Sequence, residues 1–267
     1  ADYPVRAPEV LGWCDDNQVI GRPFLVQEWI DGVAITDAMP AAYSESIDGV
    51  NRLGESLVDN LAELHGVPTD LEALQKLGRP DGFVERQIER WLSVRKEHGV
   101  RDLPELFALG EWLGRNVPPS SAPAVIHGDY HLDNTLASKD HPEILAIIDW
   151  ELATVGDCYL DVALMLMFWG DYRTQDPPAF SALQAVSRRS GVLSRRELAG
   201  RWAEKLGRPL HHMNFYMAFS FWRLAAIIEG AYGLHVAGKL DSDYARGLEH
   251  DVPALLAEAQ SAAAGDW

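Results

Sequence analysis

At 267 residues and 47% hydrophobic content, the chain is long enough for one large domain or two lobes around a sizeable buried core. Its 23 Lys plus Arg against 40 Asp plus Glu give a formal charge of -17, which argues against tracking a phosphate backbone or resting on an anionic membrane, so no nucleic-acid or membrane partner is expected. Two cysteines, Cys14 and Cys158, lie far apart and form no CxxC pair; they indicate neither a disulfide framework nor a zinc cage and fit a reducing, cytoplasmic setting.

In chain order, the stretch from Val19 to Trp29 holds a β-type run, Phe24-Leu25-Val26, closed by the turn signal Asp31-Gly32. From Ile47 to His65 the apolar residues Ile47, Val50, Leu53, Leu57, Leu61 and Leu64 recur at helical spacing, and Gly66 with Pro68 ends the run. Further helices are predicted from Phe83 to Lys96 and from Leu103 to Asn116. The texture then changes. Pro123 to Ile126 and Ile144 to Ile148 are short β-prone runs, each delivering a polar cluster at its C-terminal end. Helical patterns return from Leu160 to Trp169, from Ser194 to Leu206 behind a Ser194/Glu197 capping box, from Met213 to Tyr232, and from Tyr244 to Gln260 with Pro253 as a break. The apolar stretch Met213 to Ile228 carries Asn214, Ser220 and Arg223 and falls short of the about 20 apolar residues of a membrane span, so it reads as a core helix. The nine tryptophans read as core, not as a platform for stacking bases.

The first polar cluster is His127-Gly128-Asp129-Tyr130-His131-Leu132-Asp133-Asn134, with a carboxylate and a carboxamide five residues apart on a loop after a strand. Phosphoryl transfer to a hydroxyl needs a carboxylate near the nucleophile and an oxygen ligand for the magnesium ion that neutralises the phosphates. Asp129 is the expected hydroxyl-orienting base and Asn134 the metal ligand. In the second cluster, Ile147-Ile148-Asp149-Trp150-Glu151, Asp149 follows a strand and is the expected second metal ligand. Glu151, two residues on along an extended chain, would share its side and either add a further oxygen or face solvent.

The HGDxxxxN loop at 127–134 and the IIDWE run at 147–151, followed by Gly156-Asp157 and Asp161-Val162-Ala163, resemble the aminoglycoside phosphotransferase and choline kinase superfamily, a relative of the protein kinases. Protein kinases carry H-R-D-L-x-x-x-N and D-F-G; here Gly128 replaces the Arg and Trp150-Glu151 replaces Phe-Gly, as in small-molecule kinases. The segment Trp222-Arg223-Leu224-Ala225 looks most like the kinase-like proteins related to the extra domain of some acyl-CoA dehydrogenases. The resemblance implies an α+β, protein-kinase-like bilobal fold. Residues 1–32 would end the β-rich N-terminal lobe and form the hinge, and 33–267 would form the helical C-terminal lobe. It implies ATP and Mg²⁺ as cofactors, adenine pairing with the backbone of Gln27, Glu28, Trp29 and Ile30, and structural roles for His127 and Asp161. Tyr130 and His131 would either point into a substrate cleft, walled by the helical region from Phe180 onward, or simply pack the loop. The acceptor would be the hydroxyl of a small molecule. An aminoglycoside would want an acidic pocket, an amino alcohol aromatic faces, and a hydroxyacyl-CoA basic residues.

A glycine-rich loop, a phosphate-binding Lys and its Glu partner do not occur before Gly32; the first Lys is Lys76. With no initiator Met at Ala1, that half of the small lobe is expected upstream of residue 1. Two rival readings remain open: a catalytically inactive kinase-like binding module, and a metal-dependent hydrolase using His127, Asp129 and His131 as an HxDxH cluster with Asp149 bridging a second ion. No feature of the sequence fixes an oligomeric state.

Overall fold

A computed structural model describes residues 3–74, 76–119, 123–173 and 185–267. The first segment folds into a hairpin, β1 (Val10–Cys14) antiparallel to β2 (Phe24–Gln27), joined through a single helical turn, α1 (Asn17–Ile20). Asp16 caps that turn by accepting from Gln18 N at 2.8 Å, and Gly21 closes it at φ 85°. The hairpin buries little: Leu11, Trp13 and Leu25 are exposed. The chain joins the main body where Val33 N donates to Ala137 O at 2.9 Å. Gly32 passes so close to the body that a Cβ there would sit 2.9 Å from Leu136 Cβ.

The body is helical around two small antiparallel pairings. Helix α2 (Ile47–His65) starts at the Ser46 cap, and its apolar stripe places Val50, Leu53, Leu57 and Leu61 in the core. Helices α3 (Phe83–His98) and α4 (Pro104–Arg115) follow. Strand β3 (Pro123–Ile126) pairs not with its neighbour in sequence but with β6 (Thr154–Asp157), while β4 (Thr135–Ala137) and β5 (Ile144–Ile147) form a hairpin between them. This nesting brings the polar clusters after β3 and β5 to the same end of the body. The three-residue β4 and the Gly-containing β6 are absent from the sequence-based expectation because neither has a long β-branched run.

Helix α5 (Tyr159–Met167) is buried along its whole length, and α6 (Arg195–Leu206) carries both hydrogen bonds of the Ser194/Glu197 capping box. Helices α7 (Met213–Val236) and α8 (Asp243–Ala263) pack as a long antiparallel pair. Trp169, Trp202 and Trp222 lie inside the core, whereas Trp13 and Trp29 are exposed. Among the described residues no helix is long and apolar enough to cross a membrane.

Pro253 does not break α8, contrary to expectation. A proline leaves the carbonyl four residues back without its donor. Here Arg101 replaces that donor, giving Nη1 to Glu249 O at 2.8 Å and Nη2 to Leu248 O at 3.2 Å. The same guanidinium grips Glu229 of α7, with Nη2 to Oε2 at 2.8 Å and a carboxylate only 2% exposed. Arg101 therefore serves a buried charge and the proline gap at once. We expect Arg101→Ala to cost about 3 kcal/mol, because it strands a buried carboxylate; urea denaturation with and without the substitution measures this.

Candidate active site

The loop after β3 is held from below by Asp161, which is 1% exposed in the first turn of α5. Its carboxylate accepts the backbone amides of His127 (2.6 Å) and Gly128 (2.9 Å), and His65 Nε2 lies 3.3 Å from Oδ2. Trp202 on α6 donates its indole N–H to His65 Nδ1 at 3.0 Å. That leaves the His65 proton on Nε2, facing Asp161. The buried charge is thus met by three donors, as a charge in a low-dielectric interior requires.

Gly128 has φ 85°, and a Cβ on it would lie 2.6 Å from Leu152 O, so glycine is the residue that turns the loop. His127 is fully buried. Its Nε2 donates to Ile148 O at 2.8 Å and its Nδ1 accepts from Asp129 N at 3.3 Å. With both ring nitrogens engaged, His127 has no lone pair for a metal, which removes it from the HxDxH hydrolase reading. Among the described residues no cluster of three or more His, Cys, Asp or Glu side chains forms a metal cage.

Asp129 emerges from this loop with its carboxylate 39% exposed. Asn134 Nδ2 donates to its Oδ2 at 2.9 Å and to its backbone O at 2.8 Å, and His131 Nε2 lies 3.6 Å from Oδ1. Burial works to raise the Asp129 pKa, but the hydrogen bond and charge of His131, the Asn134 amide and the charge of Arg223 outweigh it, and the group sits below the ordinary carboxylate value. His131 is fixed in turn by Phe168, with ring centroids 4.7 Å apart.

Asn134 and Asp149 are brought side by side by the β4–β5 hairpin: Thr135 pairs with Ile147, and Ile148 N donates to Asn134 O at 2.9 Å. Asp149 has φ 65° and ψ 57°, a left-handed conformation that costs a non-glycine residue about 1 kcal/mol or more. Its carboxylate is exposed and has no hydrogen-bond or ion-pair partner among the described residues, and no donor reaches Asn134 Oδ1. Two hard oxygen donors with unused lone pairs at neighbouring positions fit a divalent cation such as Mg²⁺.

Two sequence expectations need correction. Tyr130 does not face a cleft. It is fully buried and donates its hydroxyl to Leu57 O of α2 at 2.7 Å, because the loop turns at Gly128 and sends alternate side chains inward. Glu151 is not beside Asp149 along an extended chain, since Asp149 is left-handed and Trp150–Leu152 is a 3₁₀ turn. Instead Glu151 lines a cavity of about 360 Å³ with Gly128, Arg90, Trp91 and Arg223. Of the region expected to wall the substrate cleft, residues 180–184 lie outside the described residues; the walls of this cavity come from α3 and α7. Sequence reasoning missed Arg90 and Arg223 as site residues, although Arg223 stood out as a charge in an apolar helix. A larger cavity of about 480 Å³, between Trp112, His212, Phe215 and Trp267, touches no residue of the catalytic loop.

At the hairpin end, Glu28 N donates to Glu9 O at 2.8 Å and Ile30 O accepts from Gly32 N at 2.9 Å. The Glu28 carbonyl and the Ile30 amide have no hydrogen-bond partner among the described residues. Gln27 pairs with Val10, and Trp29 is 87% exposed.

Comparison with known proteins gives this geometry a family. The chain is 28% identical over 248 residues to acyl-CoA dehydrogenase family member 10 of Mus musculus, and 29% identical over 244 residues to acyl-CoA dehydrogenase family member 11 of Homo sapiens. These matches take in 91% and 90% of this chain but only 22% and 30% of the relatives' length. Its fold matches that of an aminoglycoside phosphotransferase-like protein from Ralstonia eutropha JMP134, with a TM-score of 0.84 and 26% identity, covering 97% of this chain and 79% of that one. A macrolide 2'-phosphotransferase of type I shares the fold at a TM-score of 0.60 and 17% identity, over 94% of this chain and 73% of that one. The model of the phosphotransferase enzyme family matches residues 1–199, and the chain belongs to that family, with its α+β, kinase-like fold.

Proposed function

We propose that this chain carries the catalytic lobe of an ATP- and Mg²⁺-dependent phosphotransferase acting on a hydroxyl of a small molecule. The observation that supports this most is the joint placement of Asp129, Asn134 and Asp149, a carboxylate held by a carboxamide beside a second, unpartnered carboxylate. On this reading the lobe boundary falls at Gly32, with residues 1–32 as the end of the small lobe and hinge and 33–267 as the catalytic lobe. The free Glu28 carbonyl and Ile30 amide, two residues apart on one edge of the chain, offer adenine an acceptor and a donor. Solved structures of the same fold are named as complexes with GDP and kanamycin and with ADP and streptomycin, at 14% and 17% identity.

Magnesium, when bound, neutralises phosphate charge, and Asn134 Oδ1 with the Asp149 carboxylate would hold it. The chain's own residues do the rest. Asp129 accepts the acceptor's hydroxyl hydrogen and points its oxygen in line with the transferring phosphoryl group. As a weak base it takes the proton late, which suits a loose transition state. The Asp161 carboxylate keeps the loop from drifting. The cavity next to Gly128, between α3 and α7, receives the acceptor.

Thermal shift on this protein should show stabilisation by ATP that depends on Mg²⁺, with no shift by any nucleotide refuting the reading. Asp129→Asn should abolish turnover and leave nucleotide affinity within a few-fold, measured by ADP release and by titration. An inactive binding module would instead bind nucleotide with no turnover to lose.

The pH dependence follows from the sign of the Asp129 shift. A carboxylate below its ordinary value of about 3.9 stays ionised through neutrality, so the rate should fall only below about pH 4. His131→Ala removes the largest of the lowering influences and leaves burial to raise the group. The acid limb of the pH–rate profile should then move to higher pH, and an unmoved limb would break the assignment of Asp129 as base.

A further inference from the structure

The cavity at Gly128, the residue before Asp129, has a one-sided polar lining. Arg90, Arg223 and Gln87 face it, and Glu151 is the one carboxylate among its lining residues. Phe83, Ile126, Leu152, Leu160 and Ile227 supply apolar wall.

Arg223 is the most telling of these. It lies on α7, and its Nη2 donates to Gly128 O at 3.0 Å, the one hydrogen bond it makes among the described residues. No carboxylate of the described residues comes within the 4.0 Å of an ion pair. Burial lowers the guanidinium below its ordinary value, and the charges of Asp129 and Asp161 offset only part of this. Arg223 is half-buried, and a guanidinium carries five N–H donors, so one that makes a single bond has donors left over for a ligand in the cavity. Beside it, Trp91 holds a buried indole N–H with no acceptor, under the Arg90 guanidinium 5.4 Å from the ring centroid.

On the reading of this lobe as a phosphotransferase, we infer that the acceptor is an amphipathic hydroxyl compound carrying an oxyanion, a carboxylate or phosphate, which Arg223 and Arg90 bind while its apolar part lies against α3 and α7. Planar N–H pairs match the two oxygens of such a group. Because Arg223 is tied to Gly128 O, one residue before Asp129, the oxyanion is held at a fixed offset from the carboxylate that orients the hydroxyl. A polycationic acceptor would instead meet two guanidiniums against a single carboxylate, Glu151. If Arg223 only latched the loop, one N–H would suffice, and a second arginine, Arg90, on the same cavity would have no part.

Calorimetric titration of the whole chain without nucleotide tests this with four probes: 3-hydroxyoctanoate, its neutral amide, monooctyl phosphate and kanamycin. We expect one of the two oxyanion probes to bind at least tenfold tighter than the amide, with kanamycin weaker still. The better of the two names the oxyanion. Arg90→Met, at an exposed position, should weaken that probe several-fold. Arg223→Met should weaken it more than tenfold, with Arg223→Lys in between. Equal binding of acid and amide, preference for kanamycin, binding of no probe, or indifference to both arginine substitutions overturns the inference. Because no nucleotide is present, oxyanion binding without any Mg²⁺-nucleotide shift refutes the phosphotransferase reading and leaves the site standing; the reverse result does the opposite.

Discussion

The carboxylate of Asp161 is the constraint on which the site depends. A charge that deeply buried is tolerable only when every lone pair that matters has a donor, and here the donors are two consecutive loop amides and His65. Meeting that demand forces His127 and Gly128 into one conformation. That conformation needs φ 85° at Gly128 and a gap too small for a Cβ. Asp129 then leaves the loop toward the open side, and Tyr130 turns back to α2. The network also ties together elements distant in sequence: α6 through Trp202, α2 through His65, and α5 through Asp161 itself. Catalytic geometry must hold to a fraction of an ångström to be useful, and this loop is fixed by the core, not by its own short length.

What could be read from the sequence divides along physical lines. Helix α2 is foreseen to the residue because its apolar spacing and the stop at Gly66 and Pro68 are local signals. Asp129, Asn134 and Asp149 stand out because their spacing on strand-end loops is local too. Pairing of β3 with β6 around the β4–β5 hairpin is a long-range outcome, invisible to periodicity. Pro253 inside α8 is legible as a break only if its partner is ignored: Arg101, about 150 residues earlier, supplies the missing donor. Tyr130 and Glu151 were misplaced for one reason. Side-chain direction depends on backbone handedness, and the sequence of the loop does not announce the left-handed turns at Gly128 and Asp149.

Net charge misleads about the site. At -17 the surface as a whole would repel an anion, yet the cavity at Gly128 is lined by two arginines and one glutamate. Potential at a concave, low-dielectric site is set by the nearest groups, because distant surface charges are screened over about 8 Å at physiological salt. The acidic exterior and a cationic pocket are therefore compatible. The exterior governs solubility and the pocket governs choice of ligand.

Family membership and acceptor identity are carried by different parts of the chain. The family match covers residues 1–199, which include the β1–β2 hairpin, the loop 127–134, Asp149 and α3. Helix α7, which brings Arg223 and Ile227 to the cavity, lies beyond it. A phosphotransferase can keep the loop, the metal ligands and the Asp161 anchor while replacing the wall that the acceptor touches, since the phosphoryl-transfer geometry asks nothing of α7 except a donor for Gly128 O. That division lets one fold serve acceptors of opposite charge. On the proposed reading, the chemistry of the acceptor is to be read from Arg90 and Arg223, because likeness to aminoglycoside or macrolide phosphotransferases speaks only for the frame around them.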